Sequence, residues 1–172
     1  MTGQKPPSTR LLSKTSTRLL DAFDRAILKR VQFNAKTPQR TLADQIHLSA
    51  AAVQRRIASM EASGVISDTV ALVDAEAVGL TITAIVEVFL NDERAETIRT
   101  AKAAFMAEPK VQQCYYVTGG VSFILIVVVR DMAAYQALSG RLFEQNPAVN
   151  RFRTLITLDR VKTGAHLDNS EA

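Results

Sequence analysis

The chain has 172 residues, of which 47% are hydrophobic, and its 21 Lys and Arg exceed its 17 Asp and Glu by a net charge of +4. Because Cys114 is the single cysteine and there are two histidines, an intramolecular disulfide and a Cys/His zinc cluster are both excluded. The longest apolar run, Phe123 to Val129, is far shorter than the roughly 18 to 20 residues that span a bilayer. We therefore expect a cytoplasmic globular protein with no metal, no cofactor and no membrane partner.

The charge is unevenly distributed along the chain. Residues 1–64 hold 11 Lys and Arg against four Asp and Glu, a net charge of +7, whereas residues 65–172 hold ten against 13, a net charge of −3. A basic N-terminal third on a mildly acidic remainder indicates a segment that binds a polyanion, attached to a body with another role.

Three short helices are predicted after a polar start. Residues 1–18 carry no acidic side chain and show no apolar periodicity, which predicts a flexible basic arm. A first helix begins at the N-cap Asp21, and a second begins at Thr37-Pro38, with threonine as the cap and proline in the first turn. A third runs from its N-cap Ser49 to the stop signal Gly64. With a turn of about three residues before the third helix, this order predicts a helix-turn-helix unit.

The outer face of the third helix is the predicted reader of DNA. Small residues at its start and arginines one turn later would let the helix enter the major groove and reach phosphates or base edges. The candidate DNA contacts on this helix and on the segment before it are Lys36, Arg40, Ser49, Ala50, Ala51, Gln54, Arg55 and Arg56.

Beyond Gly64 the apolar period changes from 3.6 to 2 residues. Val65-Ile66 and Val70 to Val73 are strand-like pieces that predict a wing and a connector. The elements that follow are a strand from Thr81 to Leu90, a helix capped by Asp92, a strand from Val111 to Val117, a strand from Phe123 to Val129, a helix capped by Asp131 and closed by Asn146-Pro147, and a strand from Phe152 to Leu158. This β-α-β-β-α-β order is the ferredoxin-like arrangement.

The predicted fold class is therefore α+β, with two domains. A winged helix-turn-helix occupies residues 19–68 and a linker strand residues 69–80. A ferredoxin-like ligand-binding and oligomerisation domain occupies residues 81–164, and a polar tail occupies 165–172.

The predicted sheet has a second apolar face. Both helices of a split βαβ unit pack on one face of the sheet, yet the run from Phe123 to Val129 is apolar at both parities. The same sheet from another copy would cover the second face and produce a symmetric dimer. The alternative is an apolar surface that is shielded by the linker.

The ordered set of residues in these elements resembles the Lrp/AsnC, or feast/famine, family of transcriptional regulators. The resemblance covers roughly residues 20–164 and rests on Leu20, Asp21, Asp24, Ile27, Leu28, Leu42, Ala43, Leu48, Ser49, Val53, Arg56, Ile57, Glu61, Gly64, Ile66, Val117, Thr118, Gly119, Asp131, Met132 and Tyr135. It implies an N-terminal winged helix-turn-helix and a C-terminal ferredoxin-like effector domain. It also implies dimers that associate into octamers or related rings, with small ligands, often amino acids, bound between subunits.

Two departures from the family concern the DNA-binding unit. Relatives usually have glycine at the turn between the second and third helices, where this chain has His47. We interpret His47 as a solvated turn residue under some strain, and the alternative is a contact to a DNA phosphate. Ala58 and Ser59 stand where relatives often have further basic residues, which shifts the expected phosphate contacts to the cations named above and to the arm.

The third departure concerns the effector loop, for which the resemblance implies the binding residues Thr118, Gly119, Gly120, Val121 and Ser122. Relatives commonly read Gly-Asp-x-Asp here, so that both loop carboxylates are replaced, by Gly120 and by Ser122. Loss of an acid that holds an ammonium group would cost about ten- to a hundredfold in affinity. We therefore predict either that the effector is not an ordinary amino acid bound in the family mode or that there is none.

Three functions follow from these observations. The first is a sequence-specific, nucleoid-associated transcriptional regulator of amino-acid or nitrogen-related metabolism, which binds double-stranded DNA as a homodimer or larger ring. The second is an architectural protein that wraps DNA without an effector. The third is an enzyme similar to tetrapyrrole decarboxylases, but His47 and His166 are poorly placed for it, and Cys114 has no basic neighbour in sequence that would activate it. We expect no catalytic residues.

Overall fold

The computed structural model describes residues 19–164 and 166–169, so the arm predicted over residues 1–18 lies outside the described residues. The chain divides into two compact units: residues up to Ala71 together with the segment from Gly164 onward, and residues Leu72–Thr163. Within the described residues, no helix has the length and apolar character that a membrane span requires.

The N-terminal unit contains three helices, α1 (Ala22–Val31), α2 (Gln39–Ile46) and α3 (Ala50–Ser63). Their inward positions form one apolar core that includes Ile27, Leu42, Ala43, Val53 and Met60. The order and the inward stripes confirm the predicted helix-turn-helix. Its core brings together residues from all three helices, which fixes the orientation of α3 relative to α1 and α2.

The predicted caps of this unit are right at three of four helix ends. Asp21 caps α1 in a reciprocal capping box with Asp24, Ser49 caps α3, and Gly64 ends α3 with a left-handed backbone at φ 78°. The prediction for α2 is wrong by one position: Pro38 is the N-cap, and the Thr37 hydroxyl donates to the backbone carbonyl of Asn34 instead.

The predicted wing and linker strand are not formed. Between Gly64 and Thr81 the backbone is irregular, with bends at residues 65–66, a turn over residues 75–79 and no strand, because no neighbouring strand offers hydrogen bonds to this segment. Val65 and Ile66 pack against the helical core, whereas Leu72 is 78% exposed. Asp74 accepts hydrogen bonds from the backbone N–H groups of Glu76 and Ala77 and so starts a turn where a strand was expected.

The C-terminal unit has the predicted β-α-β-β-α-β order. Its elements are β1 (Ile82–Leu90), α4 (Ala95–Ala107), β2 (Val111–Tyr116), β3 (Phe123–Val129), α5 (Met132–Ser139) with a π-helical turn over Gly140–Glu144, and β4 (Val149–Ile156). The antiparallel sheet has the order β2-β3-β1-β4, which is the ferredoxin-like arrangement.

Several boundaries in this unit differ from the prediction: β1 begins one residue later, β2 ends one residue earlier and β4 ends two residues earlier. Asp92 does not cap α4: the N-cap is Arg94, and the Asp92 carboxylate accepts the Arg94 backbone N–H in a turn before the helix. The last strand begins at Val149, three residues earlier than predicted, because pairing with β1 extends to Leu90. By contrast, Asp131 caps α5 as predicted.

The two faces of the sheet differ in what covers them. Residues at alternate positions, such as Val86, Leu125 and Val127, are buried against α4 and α5, and Phe105 contacts both Phe123 and Phe143 in this core. The opposite face, called here the open face, has the side chains of Ile85, Phe89, Ile124, Ile126, Val128, Tyr115, Leu155 and the pair Glu87 and Arg153. The apolar second face predicted from the sequence is therefore present in the structure.

The described part of the tail packs on α1 of the N-terminal unit. The Gln32 side chain exchanges two hydrogen bonds with the backbone of Leu167, at 2.8 and 3.2 Å. The His166 ring stacks on Phe33 with centroids 4.5 Å apart, and Asn169 donates to the backbone carbonyl of Arg25. The segment predicted only as a polar tail is thus part of the helical unit.

Candidate DNA-binding and effector sites

The outer face of α3 is exposed and small at its N-terminal end. Ala50, Ala51, Gln54 and Arg55 are all exposed, while Val53, one position away, is buried in the core. The Ser49 hydroxyl accepts the backbone N–H of Ala52, so its oxygen holds the helix start and its proton stays available to a ligand. The structure therefore places Ser49, Ala50, Ala51, Gln54 and Arg55 on the exposed side at the start of α3.

Three of the predicted cations, Arg55, Lys36 and Arg40, are exposed to solvent. Arg55 makes no ion pair or hydrogen bond within the residues that the structure describes. Lys36 and Arg40 are exposed before and at the start of α2. Long cationic side chains of this kind suit phosphate contacts, which provide affinity without sequence information.

Arg56 has surroundings that the sequence prediction did not anticipate. Its NH1 donates at 2.8 Å to Asp24 Oδ1 and at 2.8 Å to Asp21 Oδ2, and its guanidinium lies 5.4 Å from the centre of the Phe23 ring. The carboxylate of Asp24 is 2% exposed and that of Asp21 50%, while Arg56 is 28% exposed. Arg56 is thus an internal link between α3 and the start of α1.

These contacts shift the pKa values of Asp21 and Arg56. The pKa of Asp21 lies below its ordinary value, chiefly because the Asp24 backbone N–H donates to it, and secondly because Arg56 does. Hydrogen bonds to Asp24 and then Asp21 raise the pKa of Arg56. The charge that was expected to face DNA is balanced by these two carboxylates.

His47 occupies a left-handed backbone position between α2 and α3. Its φ is 57° and its ψ 44°, and its backbone N–H donates to the carbonyl of Ala43. The side chain is exposed, as the interpretation of a solvated turn residue requires. A residue with a Cβ in this conformation is strained by roughly 1 to 2 kcal/mol.

We expect His47→Gly to raise the free energy of unfolding by about 0.5 to 1 kcal/mol, because relief of this strain exceeds the added entropy of glycine in the unfolded chain. Urea denaturation measures the change. His47→Ala is the control, since it retains the Cβ and should give no gain. A glycine variant less stable than the wild type would contradict a strained turn.

The predicted effector residues form an open loop between β2 and β3. Gly119 and Gly120 have φ values of 102° and 91°, are exposed, and have no atom within 4 Å of where a Cβ would stand. Their backbone N–H groups have no acceptor within the part of the chain that the structure describes. Thr118 is exposed and Val121 half-buried beside them. Two backbone donors at this loop are thus available to an anionic or carbonyl group.

Ser122 closes this loop and is buried. Its backbone N–H donates to the Val88 carbonyl, and its hydroxyl oxygen accepts the Leu90 N–H at 3.1 Å. The same hydroxyl donates to Glu93 Oε1 at 2.7 Å. The hydroxyl proton therefore has a fixed direction, towards a carboxylate on the loop that follows β1.

Glu93 is the functional candidate that the sequence analysis missed. Its Oε2 accepts the Tyr116 hydroxyl at 2.8 Å, so that two hydroxyl groups hold one exposed carboxylate beside the effector loop. The hydrogen bond to Glu93 raises the pKa of Tyr116, and this keeps the phenol protonated as the donor. Glu93 lies 29 residues from Ser122 in the chain, and no local spacing connects them.

The other candidate reactive groups have packing roles. Burial raises the pKa of the Cys114 thiol, which packs against the core of the C-terminal unit. His47 is in the turn before α3 and His166 is stacked on Phe33, so neither histidine is in the C-terminal unit. Among the described residues, no three His, Cys, Asp or Glu side chains are grouped to hold a metal ion.

Together the two units define a class of protein: a helix-turn-helix DNA-binding unit joined to a ferredoxin-like unit with an open loop. Family models match both parts, with the AsnC-type helix-turn-helix domain over residues 20–61 and the Lrp/AsnC ligand-binding domain over residues 83–167. A helix-turn-helix transcriptional regulator of Sinorhizobium fredii is 40% identical over 143 residues, which cover 83% of this chain and 85% of that protein.

Two further relatives agree with these matches. The proline dehydrogenase transcriptional activator of Rhodobacter capsulatus is 34% identical, over 84% of this chain and 94% of that protein. The crystal structure of an AsnC family transcriptional regulator from Agrobacterium tumefaciens superposes with a TM-score of 0.81 at 29% identity, covering 86% of this chain and 96% of that one. The chain belongs to the Lrp/AsnC family of transcriptional regulators, which is a class without enzymatic activity.

Proposed function

We propose that the protein binds specific DNA sites through α3 and controls genes of amino-acid or nitrogen metabolism in response to a small molecule. The observation that supports DNA reading most directly is the exposed stripe of Ala50, Ala51, Gln54 and Arg55 on a helix whose other side is buried. Lys36, Arg40 and Ser49 extend the proposed contact surface, and Arg56 positions it from within. The protein acts in the cytoplasm on nucleoid DNA.

The metabolic part of this proposal comes from a relative. The Rhodobacter capsulatus protein is named as an activator of proline dehydrogenase, an enzyme that acts on an amino acid. A ligand-binding domain of the same family spans most of the C-terminal unit here. A regulator of this construction connects the supply of an amino acid or a related metabolite to transcription.

Capture of genomic DNA with the purified full-length protein tests the proposal. The expected result is a limited set of upstream fragments that share a pseudo-palindromic sequence, since the two helix-turn-helix units of a homodimer would bind two half-sites. Uniform recovery of fragments would contradict specific reading and would favour an architectural role. The recovered genes also test the proposed link to amino-acid or nitrogen metabolism.

The open face of the sheet is the proposed surface for self-association. Ile85 pairs with Ile126 on one side and with Leu155 on the other, so apolar side chains continue across three strands. Glu87 accepts two hydrogen bonds of 2.7 Å from Arg153 on the same face. This ion pair is a polar group within an apolar surface, and it would favour one orientation of a second copy that packs there. A homodimer, with further association into an octamer or ring, would remove this surface from water.

We expect Ile126→Asp to convert the protein to monomers, because the aspartate would be desolvated in the centre of the interface. Light scattering during gel filtration measures the molar mass. Ala103→Asp, on the exposed side of α4, is the matched control and should leave the mass of the wild-type assembly unchanged. An unchanged mass for Ile126→Asp would show that copies associate through another surface.

A further inference from the structure

A carboxylate from a neighbouring loop lies beside the effector loop. The β2–β3 loop, residues 117–122, has no charged side chain of its own. The structure brings Glu93, from the segment between β1 and α4, to the same place through its bond with Ser122. The buried serine thus connects an uncharged loop to a carboxylate from another segment of the chain.

The Glu93 carboxylate is held in a defined orientation. Each oxygen accepts one hydroxyl proton, Oε1 from Ser122 at 2.7 Å and Oε2 from Tyr116 at 2.8 Å. Both donors are themselves fixed: Ser122 is 4% exposed, and the Tyr116 ring lies 5.1 Å from the ring of buried Phe123. Each carboxylate oxygen retains a further lone pair, and the side chain is exposed to solvent. An oriented carboxylate of this kind can accept hydrogen bonds from a cationic group.

The groups around Glu93 favour a ligand that carries a negative group as well as a positive one. Gly119 and Gly120 provide backbone donors within three residues of Ser122, and these suit a carboxylate or carbonyl. Lys102 lies 4.7 Å above the Tyr116 ring and adds a positive charge to that side. A negative acceptor beside neutral and positive donors matches a small molecule that carries both an ammonium and a carboxylate group.

We propose that Glu93 binds the ammonium group of an amino-acid effector at the Thr118–Ser122 loop, with Tyr116 and Ser122 as positioning residues. This inference rests on the proposed function, because it assigns the charge recognition of the same effector site. It also revises the expectation, drawn from the loop sequence alone, that an ordinary amino acid is not bound here. The acid is present, but it is contributed by a different loop.

The test begins with the full-length protein and a thermal-shift panel of the proteinogenic L-α-amino acids. The amino acid with the largest shift is then titrated by calorimetry, together with its N-acetyl derivative, which has no ammonium group. Glu93→Gln removes the charge and keeps the shape. Glu96→Gln is the matched control, since Glu96 is an exposed acid on α4 that pairs with Arg99.

We expect Glu93→Gln to weaken the amino acid by about ten- to a hundredfold and the N-acetyl derivative to bind the wild type as weakly. Tyr116→Phe and Ser122→Ala should lose less, because the charge remains and only its orientation is freed. Glu96→Gln should bind like the wild type. Equal affinity of Glu93→Gln and wild type would overturn the proposal, as would a panel in which no amino acid binds.

DNA binding by the same preparations distinguishes a failure of the role assigned to Glu93 from a failure of the proposed DNA-binding function. If no amino acid binds but the protein still captures specific DNA, the assignment of Glu93 fails and the proposed DNA-binding function stands. If neither amino acid nor specific DNA is bound, the proposed function itself fails. Circular dichroism of each variant shows that a lost affinity comes from the changed side chain in a folded protein.

Discussion

Arg56→Ala is expected to lower the free energy of unfolding of the N-terminal unit by about 2 to 3 kcal/mol, as measured by urea denaturation. The reason is the carboxylate of Asp24, which is 2% exposed and would lose a hydrogen-bonded cation 2.8 Å away. Removal of the guanidinium takes one charge-assisted hydrogen bond away from this buried carboxylate, and that loss costs more than the pair contributes when intact. The partial exposure of Arg56 keeps the figure below that of a fully buried pair.

Arg55→Ala is the matched control for this experiment. The neighbouring arginine is exposed and makes no ion pair within the described residues, so its removal should leave the unfolding free energy nearly unchanged. Equal stability of the Arg56→Ala variant and the wild type would show that the link between α3 and α1 contributes nothing to the fold.

The stability difference between wild type and Arg56→Ala should shrink in acid. The folded-state pKa of Asp21 lies below its ordinary value of 3.8, so its contribution is complete above that pH and is lost as the pH falls through the lowered pKa. Below it, Asp21 is protonated and no longer attracts Arg56. Denaturation of both proteins at neutral pH and in this acid range measures the effect.

Arg55→Ala is expected to weaken binding to a captured DNA site by about ten- to a hundredfold for each helix-turn-helix unit, as measured by fluorescence anisotropy. Arg55 is one turn into α3 on its exposed stripe, where its guanidinium reaches a base edge or a phosphate. If the contact is to a phosphate, the salt dependence of log Kd should also fall by about one charge per head. If it is to a base, discrimination at one position of the site should relax instead.

Arg99→Ala is the control for the DNA measurement. Arg99 is 74% exposed on α4 of the C-terminal unit, so its loss removes the same charge from the protein without changing the proposed DNA-binding face of α3. Its DNA affinity should match that of the wild type. If Arg99→Ala weakened binding as much as Arg55→Ala, net charge and not the α3 surface would explain the affinity.

The helices and strands followed from local signals because those signals act over a few residues. Asp21, Ser49 and Asp131 cap their helices through backbone groups three positions away, and Gly64 supplies the left-handed stop. The run from Phe123 to Val129 was predicted to the residue, since it is apolar at every position and ends where the apolar residues end. The prediction of a wing was wrong because a strand also needs a neighbouring strand to pair with, and the apolar residues Val65-Ile66 do not supply one.

The chemistry of the two sites was less predictable because it depends on long-range contacts. Arg56 meets Asp24 from 32 positions away, so an arginine that lies beside the reading face in sequence became a structural link. Glu93 meets Ser122 from 29 positions away, and a loop that had lost its acids in sequence has one in space. Neither contact could be derived from spacing along the chain, because each joins residues that are distant in sequence.

The cations of the basic N-terminal segment are not equally available to DNA. Of the cations in the +7 segment, Arg56 is balanced by carboxylates, whereas Lys36, Arg40 and Arg55 are exposed. The C-terminal segment, with a net charge of −3, places an oriented carboxylate at the effector loop. Attraction of DNA is therefore assigned to fewer side chains than the composition indicated, and these surround the start of α2 and the outer face of α3.

The central claim is that the outer face of α3 reads specific DNA, and parallel capture of genomic DNA by the wild type and Arg55→Ala tests it most directly. We predict that the wild type recovers a limited set of upstream fragments with a shared pseudo-palindromic sequence, and that Arg55→Ala loses this enrichment while remaining folded. Recovery of the same fragments with the same enrichment by both proteins would contradict the claim.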